Sequence, residues 1–99
     1  MSLLKIEVRN SNSQKVVYEN SFMPVSKYRD YLEMQKDLSG EKFSEAEKLD
    51  KQLDFIVSLF PGLKIEDLYN GLEMSELNDI IQKVFLKLVG EDIDPKEQN

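Results

Sequence analysis

The stretch from residue 42 to residue 72 constrains the fold of this 99-residue chain most strongly. Ser44 followed by Glu47 is the pattern of a capping box, in which each side chain binds the backbone N–H of the other at the start of a helix. Residues 60–62, Phe-Pro-Gly, interrupt the helix, because Pro and Gly disfavour its continuation. A short second helix is predicted to follow and to end at residues 70–71, where Gly71 would accept a positive φ.

The long helix in this stretch has apolar side chains on two faces. Its main stripe, about 100° wide on a helical wheel, is predicted to face the core; it consists of Ala46, Leu49, Leu53, Ile56, Val57 and Phe60. Phe55 and Leu59 lie outside this stripe and adjoin each other, since they are four residues apart. Leu86 likewise projects from the other side of the last predicted helix. These three residues either fill a gap under a neighbouring element or form an apolar protein-binding face, which is the site that the sequence predicts.

An antiparallel β-hairpin is predicted at the start of the chain. Residues 3–9 alternate, with Leu4, Ile6 and Val8 on one face, as in a half-buried strand. Residues 10–14 have a strong turn composition, and a second strand is expected over 16–22. On that strand Val16, Tyr18 and Phe22 are expected to share a face.

Helical patterns occupy the rest of the chain. A first helix is expected over residues 25–38, with Val25, Tyr28, Tyr31, Leu32 and Leu38 on its inner side. The last helix is expected from residue 74 or 75 through 89, and it is apolar over close to half its circumference, which predicts a central core position or a partner contact. The fold class is therefore α+β: an N-terminal antiparallel β-hairpin followed by a small bundle of three to four helices. We expect one domain over residues 1–90 and a flexible acidic tail over 91–99.

Composition argues against most chemical functions. The net charge of −6 disfavours nucleic acid and anionic membrane surfaces as partners. The chain has no Cys and no His, which removes the usual nucleophile, acid–base group and metal ligands. Asp92 and Asp94 lack the other ligands of a calcium loop. The sequence therefore predicts no catalytic, metal or cofactor-binding residues, no cofactor and no enzyme. The N-terminus resembles neither a signal peptide nor a membrane span, so the cytoplasm is the expected compartment.

Three segments carry a family resemblance: YENSFMPVSKYRDYLEMQ from residue 18, LDKQLDFIVSLF from residue 49, and IEDLYNGLEMSEL from residue 65. With them, most of the chain resembles a family of small tail assembly chaperones from long-tailed, non-contractile (siphovirus-type) phages and prophages of Gram-positive bacteria. The apolar break at residues 60–63 departs from the family, in which a more polar turn is expected.

The resemblance implies a non-enzymatic role in the host bacterial cytoplasm. Such chaperones escort the long helical tape measure protein until tail tube subunits polymerise around it, so the tape measure and tail tube proteins of the same phage are the implied partners. Many members also have a longer, frameshifted form, which here would extend beyond Gly90. A homo-oligomer is a further expectation, since a free hairpin edge could pair with other copies into a string. The alternatives are a small bacterial adaptor or regulatory module unrelated to phage tails, and an enzyme subunit.

Overall fold

The computed structural model describes residues 3–91 and confirms an α+β fold with an N-terminal hairpin followed by four helices. The elements are β1 (Leu4–Arg9), β2 (Lys15–Asn20), α1 (Val25–Ser39), α2 (Glu45–Val57), α3 (Ile65–Gly71) and α4 (Met74–Leu88). The tail predicted over 91–99 lies outside the described residues except for Glu91.

The two strands pair antiparallel in a register that runs from Leu4 opposite Asn20 to Arg9 opposite Lys15. The side chain of Asn10 organises the turn, because its Oδ1 accepts hydrogen bonds from the backbone N–H groups of residues 12 and 14. β2 ends at Asn20, so the prediction that Phe22 shares the inner strand face is wrong. Phe22 follows the strand and is 75% exposed.

A single cluster of buried apolar side chains lies between β1 and the helices. Its members come from β1, α2, the turn after α2, α3 and α4: Leu4, Ile6, Val8, Leu53, Phe55, Ile56, Leu59, Phe60, Leu63, Leu68, Leu77, Ile80 and Val84. The alternation of β1 therefore works as predicted, with one face wholly in the core. By contrast, α1 contributes no buried residue.

The capping box at the start of α2 is confirmed. The Ser44 backbone N–H donates to Glu47 Oε1 at 2.9 Å, and the Glu47 backbone N–H donates to Ser44 Oγ at 3.2 Å. These bonds satisfy two N–H groups at the helix start and fix where α2 begins. α2 ends at Val57, and the turn that leads to α3 contains Gly62 at a φ of 88°.

Gly71 has a different role from the predicted one. Among the described residues only Gly62 and Gly90 are glycines with positive φ, so Gly71 is not a left-handed helix cap. Instead it is buried against β1: a Cβ atom at this position would lie 2.6 Å from the carbonyl oxygen of Arg9 and 2.9 Å from its nitrogen. Glycine is needed here because the two backbones approach too closely for any side chain.

Arg9 links the hairpin to the helices. Its Nη1 and Nη2 atoms donate to Glu76 Oε1 and Oε2, both at 3.0 Å, and Nη1 also donates to the carbonyl oxygen of Gly71 at 3.2 Å. This paired geometry is the strong form of an Arg–carboxylate contact. The hydrogen bond from Arg9 lowers the pKa of Glu76 below its usual range, and the backbone N–H of Glu73 adds to the effect.

Glu76→Gln is expected to make stability less dependent on pH in acid. A carboxylate whose pKa is lower in the folded state stabilises the fold above its unfolded pKa, and this contribution is lost as the pH falls through the folded pKa. Removing the charge should therefore lower the urea midpoint at neutral pH and flatten its decline in acid. Urea unfolding across the acidic range tests this, with Glu66→Gln on exposed α3 surface as the control. Equal acid slopes for the wild type and Glu76→Gln would contradict it.

Candidate functional site

The structure places Phe55, predicted to lie on an exposed binding face, in the core. Its side chain is only 8% exposed, and its ring centroid lies 5.9 Å from that of Tyr31 on α1. Ile81 and Val84 of α4 line the same small crevice as Phe55. The prediction of an exposed face is wrong here because α1 and α4 cover the side of α2 that the helical wheel left without a neighbour.

Leu59 and Leu86 are not openly exposed either. Leu59 is 3% exposed and lies beyond the end of α2, so its direction does not follow the helical wheel. Its carbonyl oxygen accepts a hydrogen bond from Asn20 Nδ2 at 2.8 Å, which ties this turn to the end of β2. Leu86 is half-buried and packs against the core cluster. The sequence also left open that these residues fill gaps under neighbouring elements. Phe55 and Leu59 do so in the structure.

Exposed apolar surface lies instead on α1. Tyr31 and Met34 are its side chains that pack against the core cluster. Val25 is 86% exposed and Leu32 is 49% exposed, so the prediction that they face inward is wrong. The apolar stripe of α1 is wider than the contact that the core makes with it, and the excess remains on the surface.

α4 has apolar side chains both in the core and on the surface. Leu77, Ile80 and Val84 are buried, which places one side of the helix in the core. Phe85 and Val89 lie next to that side and are 41% and 40% exposed. Large apolar groups that are this exposed are available for contact with another molecule.

α1 and α4 meet at an aromatic contact that lies beside the exposed apolar groups of both helices. The rings of Tyr31 and Phe85 are 5.7 Å apart, and Tyr28 stacks on Tyr31 at 6.3 Å. Asp37 of α1 pairs with Lys51 of α2 at 3.5 Å, which places α2 on the side of α1 that carries Asp37. On a helix with about 100° per residue, Leu32 lies on the flank of Tyr31 away from Asp37, and therefore on the side of α4.

We call this region the α1–α4 surface. It consists of the exposed Val25 and Leu32 and the half-buried Tyr28 of α1, together with the exposed Phe85 of α4 and Val89 directly after this helix. Charged residues of both signs border it on α1, among them Arg29 and Glu33, which form an exposed pair at 3.9 Å. Such a pair contributes little to stability, so its place at the rim suits solubility and orientation rather than folding. An apolar centre with a polar rim is typical of protein-binding surfaces.

The described residues offer no comparable arrangement for catalysis. Tyr69 donates a hydrogen bond to Asp50, which raises the pKa of the Tyr69 hydroxyl, but the pair lies on the exposed surface between α3 and α2. An open cleft of about 430 Å³ beside the end of β2 is lined by Phe22 and by residues 57–63, with Glu19 and Lys27 among its charged groups. Within residues 3–91, no three acidic side chains come together as a metal site. Over the same residues, no helix has the length and hydrophobicity to span a membrane.

Comparison with protein families identifies the kind of protein to which the α1–α4 surface belongs. The family described as phage tail chaperone protein matches the chain over residues 1–99. The chain belongs to the phage tail chaperone family. Comparison with curated proteins and with solved structures gives no match. The family assignment confirms the resemblance seen in the sequence, and the family is generally non-enzymatic.

A phage tail chaperone acts by contact with other proteins, so its accessible apolar surface is its candidate functional site. Sequence reasoning placed Leu32 on the inner side of α1 and named Phe55, Leu59 and Leu86 as the binding face, and it therefore missed this surface. A signal for it was present: Val25, Tyr28 and Leu32 follow one another at i, i+3 and i+7, a stripe of their own. On the wheel this stripe is offset from the residues of α1 that pack inward.

Proposed function

We propose that this phage tail chaperone binds the tape measure protein of the same phage through the α1–α4 surface and helps recruit tail tube subunits to it. The observation that carries the proposal is the exposure of Leu32 and Phe85 on adjoining helices, in a chain whose α1 contributes no buried residue. α1 packs on α2 and α4 through Tyr31 and Met34, and the rest of its apolar stripe is left available to a partner.

The shape of the α1–α4 surface suits a helical client. A helix laid along the junction of α1 and α4 would bring apolar residues at i, i+3, i+4 and i+7 against Leu32 and Phe85. A long helical protein with unpaired apolar stripes would otherwise aggregate, and the net charge of −6 keeps a chaperone–client complex soluble.

Release of the client also follows from this chemistry. The α1–α4 surface is small, and its charged residues lie at the rim, so we expect an exchangeable complex rather than a permanent one. As the tail tube grows, its subunits could then replace the chaperone on the tape measure protein by mass action. The host bacterial cytoplasm is the proposed compartment for these steps. The family assignment favours this function over an adaptor unrelated to phage tails.

Co-expression with tape measure fragments tests the proposed function. The chaperone is expected to raise the soluble fraction of at least one helical fragment and to co-purify with it. A fragment with its apolar heptad positions replaced by polar residues serves as the control client and should gain nothing. If overlapping fragments that cover the whole tape measure protein neither become more soluble nor co-purify, the proposed function is wrong.

A further inference from the structure

The two edges of the hairpin are in different situations. α3 and α4 both lie against β1, whereas no described helix lies against β2 in this way. At the β1 edge, Gly71 approaches the backbone N and O atoms of Arg9, and residues of α4 line an open cleft beside Lys5 and Glu7. The chain itself therefore obstructs the β1 edge. Beside β2, the described residues place only the turn at 57–63 next to Glu19 and Asn20, and they leave the rest of this edge open.

The backbone groups at the open edge can be assigned from the turn. The Asn10 N–H donates to the Gln14 carbonyl oxygen at 2.8 Å, so the backbone of Asn10 points toward the opposite strand. Antiparallel pairs alternate between bonded and non-bonded positions, and the register then directs the N–H and C=O groups of Lys15, Val17 and Glu19 away from β1. Among the described residues, these groups have no backbone partner outside the hairpin.

The side chains along this edge are complementary to a second copy of themselves. We infer that two copies of the chain pair antiparallel through β2, with Val17 opposite Val17 of the second copy. This register places Lys15 opposite Glu19 of the second copy at both ends, and the exposed Val17 side chains against each other. It also uses all six outward N–H and C=O groups of each strand in backbone hydrogen bonds.

Other registers fit less well. A parallel arrangement would place Lys15 beside Lys15 and Glu19 beside Glu19, which like-charge repulsion disfavours. In the Val17-centred register, the half-buried Val16 of one copy lies opposite the half-buried Tyr18 of the other on the inner face. The sequence Lys-Val-Val-Tyr-Glu is thus self-complementary on both faces of the strand only in the antiparallel sense.

The occupied β1 edge limits the size of the assembly. A string of copies would need two open edges on each hairpin, and this hairpin has one. The expected product is a closed pair with a two-fold axis and a continuous four-stranded sheet, β1–β2–β2–β1. The pair leaves the α1–α4 surface accessible, because β2 lies away from α1 and α4. Self-pairing and client binding therefore use different surfaces. An experiment that contradicts one of them does not contradict the other.

Charge reversal tests the pairing and its register together. Across the pair, Lys15→Glu and Glu19→Lys each replace two attractive contacts by two repulsive ones, and each alone should weaken self-association by at least roughly tenfold. Within one hairpin, Lys15→Glu also loses the 3.9 Å contact with Glu7, and Glu19→Lys places a second lysine opposite Lys5, so circular dichroism must first show that each variant is folded. An equimolar mixture of the two variants restores opposite charges at both ends and should form a heterodimer as tight as the wild-type pair. Lys42→Glu and Glu41→Lys, exposed in the loop before α2, make the same changes of net charge and should have no effect.

Sedimentation equilibrium of the full chain supplies the measurement, with circular dichroism as the check on folding. A second variant, Val17→Pro, removes one outward N–H while leaving the bonds between β1 and β2 intact, since an edge strand tolerates proline at such a position. It should be folded and monomeric. A wild-type chain that stays monomeric to millimolar concentration overturns the inference, as does a dimer that Val17→Pro and both charge reversals leave unchanged. So does a mixture of the charge-reversed variants that fails to form a heterodimer.

Discussion

Phe55→Ala is expected to lower the free energy of unfolding by about 3–5 kcal/mol, the usual cost of removing a buried aromatic ring. The ring lies between α1, α2 and α4, so its removal leaves a space that residues of all three helices line. Since domains of this size have a stability of about 5–15 kcal/mol, the loss would be a large fraction of the total. Urea unfolding followed by circular dichroism measures it.

Phe85→Ala is the matched control for Phe55→Ala. It removes the same ring from the same aromatic group, but from a position that is 41% exposed. We expect this change to cost about 1–2 kcal/mol and to leave the chain folded. If Phe55→Ala instead left stability unchanged, Phe55 would belong to an accessible face, and the core described above would be wrong.

Gly71→Ala is expected to cost at least about 2 kcal/mol, because the new methyl group would meet backbone atoms rather than a side chain that can move away. The nearest are the carbonyl oxygen and nitrogen of Arg9, at 2.6 and 2.9 Å. Relief of this overlap requires α3 to move off β1, which also breaks the bond from Arg9 to the Gly71 carbonyl oxygen. Thermal and urea unfolding both report the loss.

Gly40→Ala provides the comparison for Gly71→Ala. At Gly40 the nearest atoms to an added Cβ would be backbone oxygens of Lys36 and Asp37 at 3.7 and 3.9 Å, which is ordinary contact, and φ is −86°. This substitution should be neutral or slightly stabilising, since alanine restricts the unfolded chain more than glycine does. Equal stability losses for the two alanine variants would contradict the close approach at Gly71.

Signals that depend on neighbouring residues alone predicted the local structure well. The Ser44–Glu47 box acts within one helical turn, and the structure contains both of its hydrogen bonds. The alternation of Leu4, Ile6 and Val8 identified the buried side of β1 because side-chain direction in a strand follows from sequence position. Neither feature requires knowledge of where distant elements pack.

Positions that depend on distant elements could not be predicted in the same way. A helical wheel shows which faces of α2 are apolar, but it does not show that α1 and α4 would cover the face of Phe55. It also assumes that the helix continues, and Leu59 lies beyond its end. At Gly71 the sequence suggested a helix cap. Glycine is needed there instead because the backbone lies against β1, a strand more than sixty residues earlier in the chain.

The candidate site follows the same rule. The sequence indicated more apolar helix surface than one core requires, and it placed the surplus at Phe55, Leu59 and Leu86. The exposed residues are Leu32 and Phe85 instead, because their exposed fraction depends on how α1 and α4 cross. Tyr31 and Leu32 are neighbours in sequence, yet one packs against the core and the other does not.

Binding of a tape measure fragment to surface variants tests whether the α1–α4 surface holds the client. The double variant Leu32→Ser with Phe85→Ser removes the centre of the α1–α4 surface, and Met74→Ser removes an exposed apolar side chain about 16 Å away along α4. With all proteins folded by circular dichroism, a fluorescence titration should show at least roughly tenfold weaker binding by the double variant. Met74→Ser should bind like the wild type. A double variant that binds the fragment as tightly as the wild type would show that the α1–α4 surface is not the client-binding site.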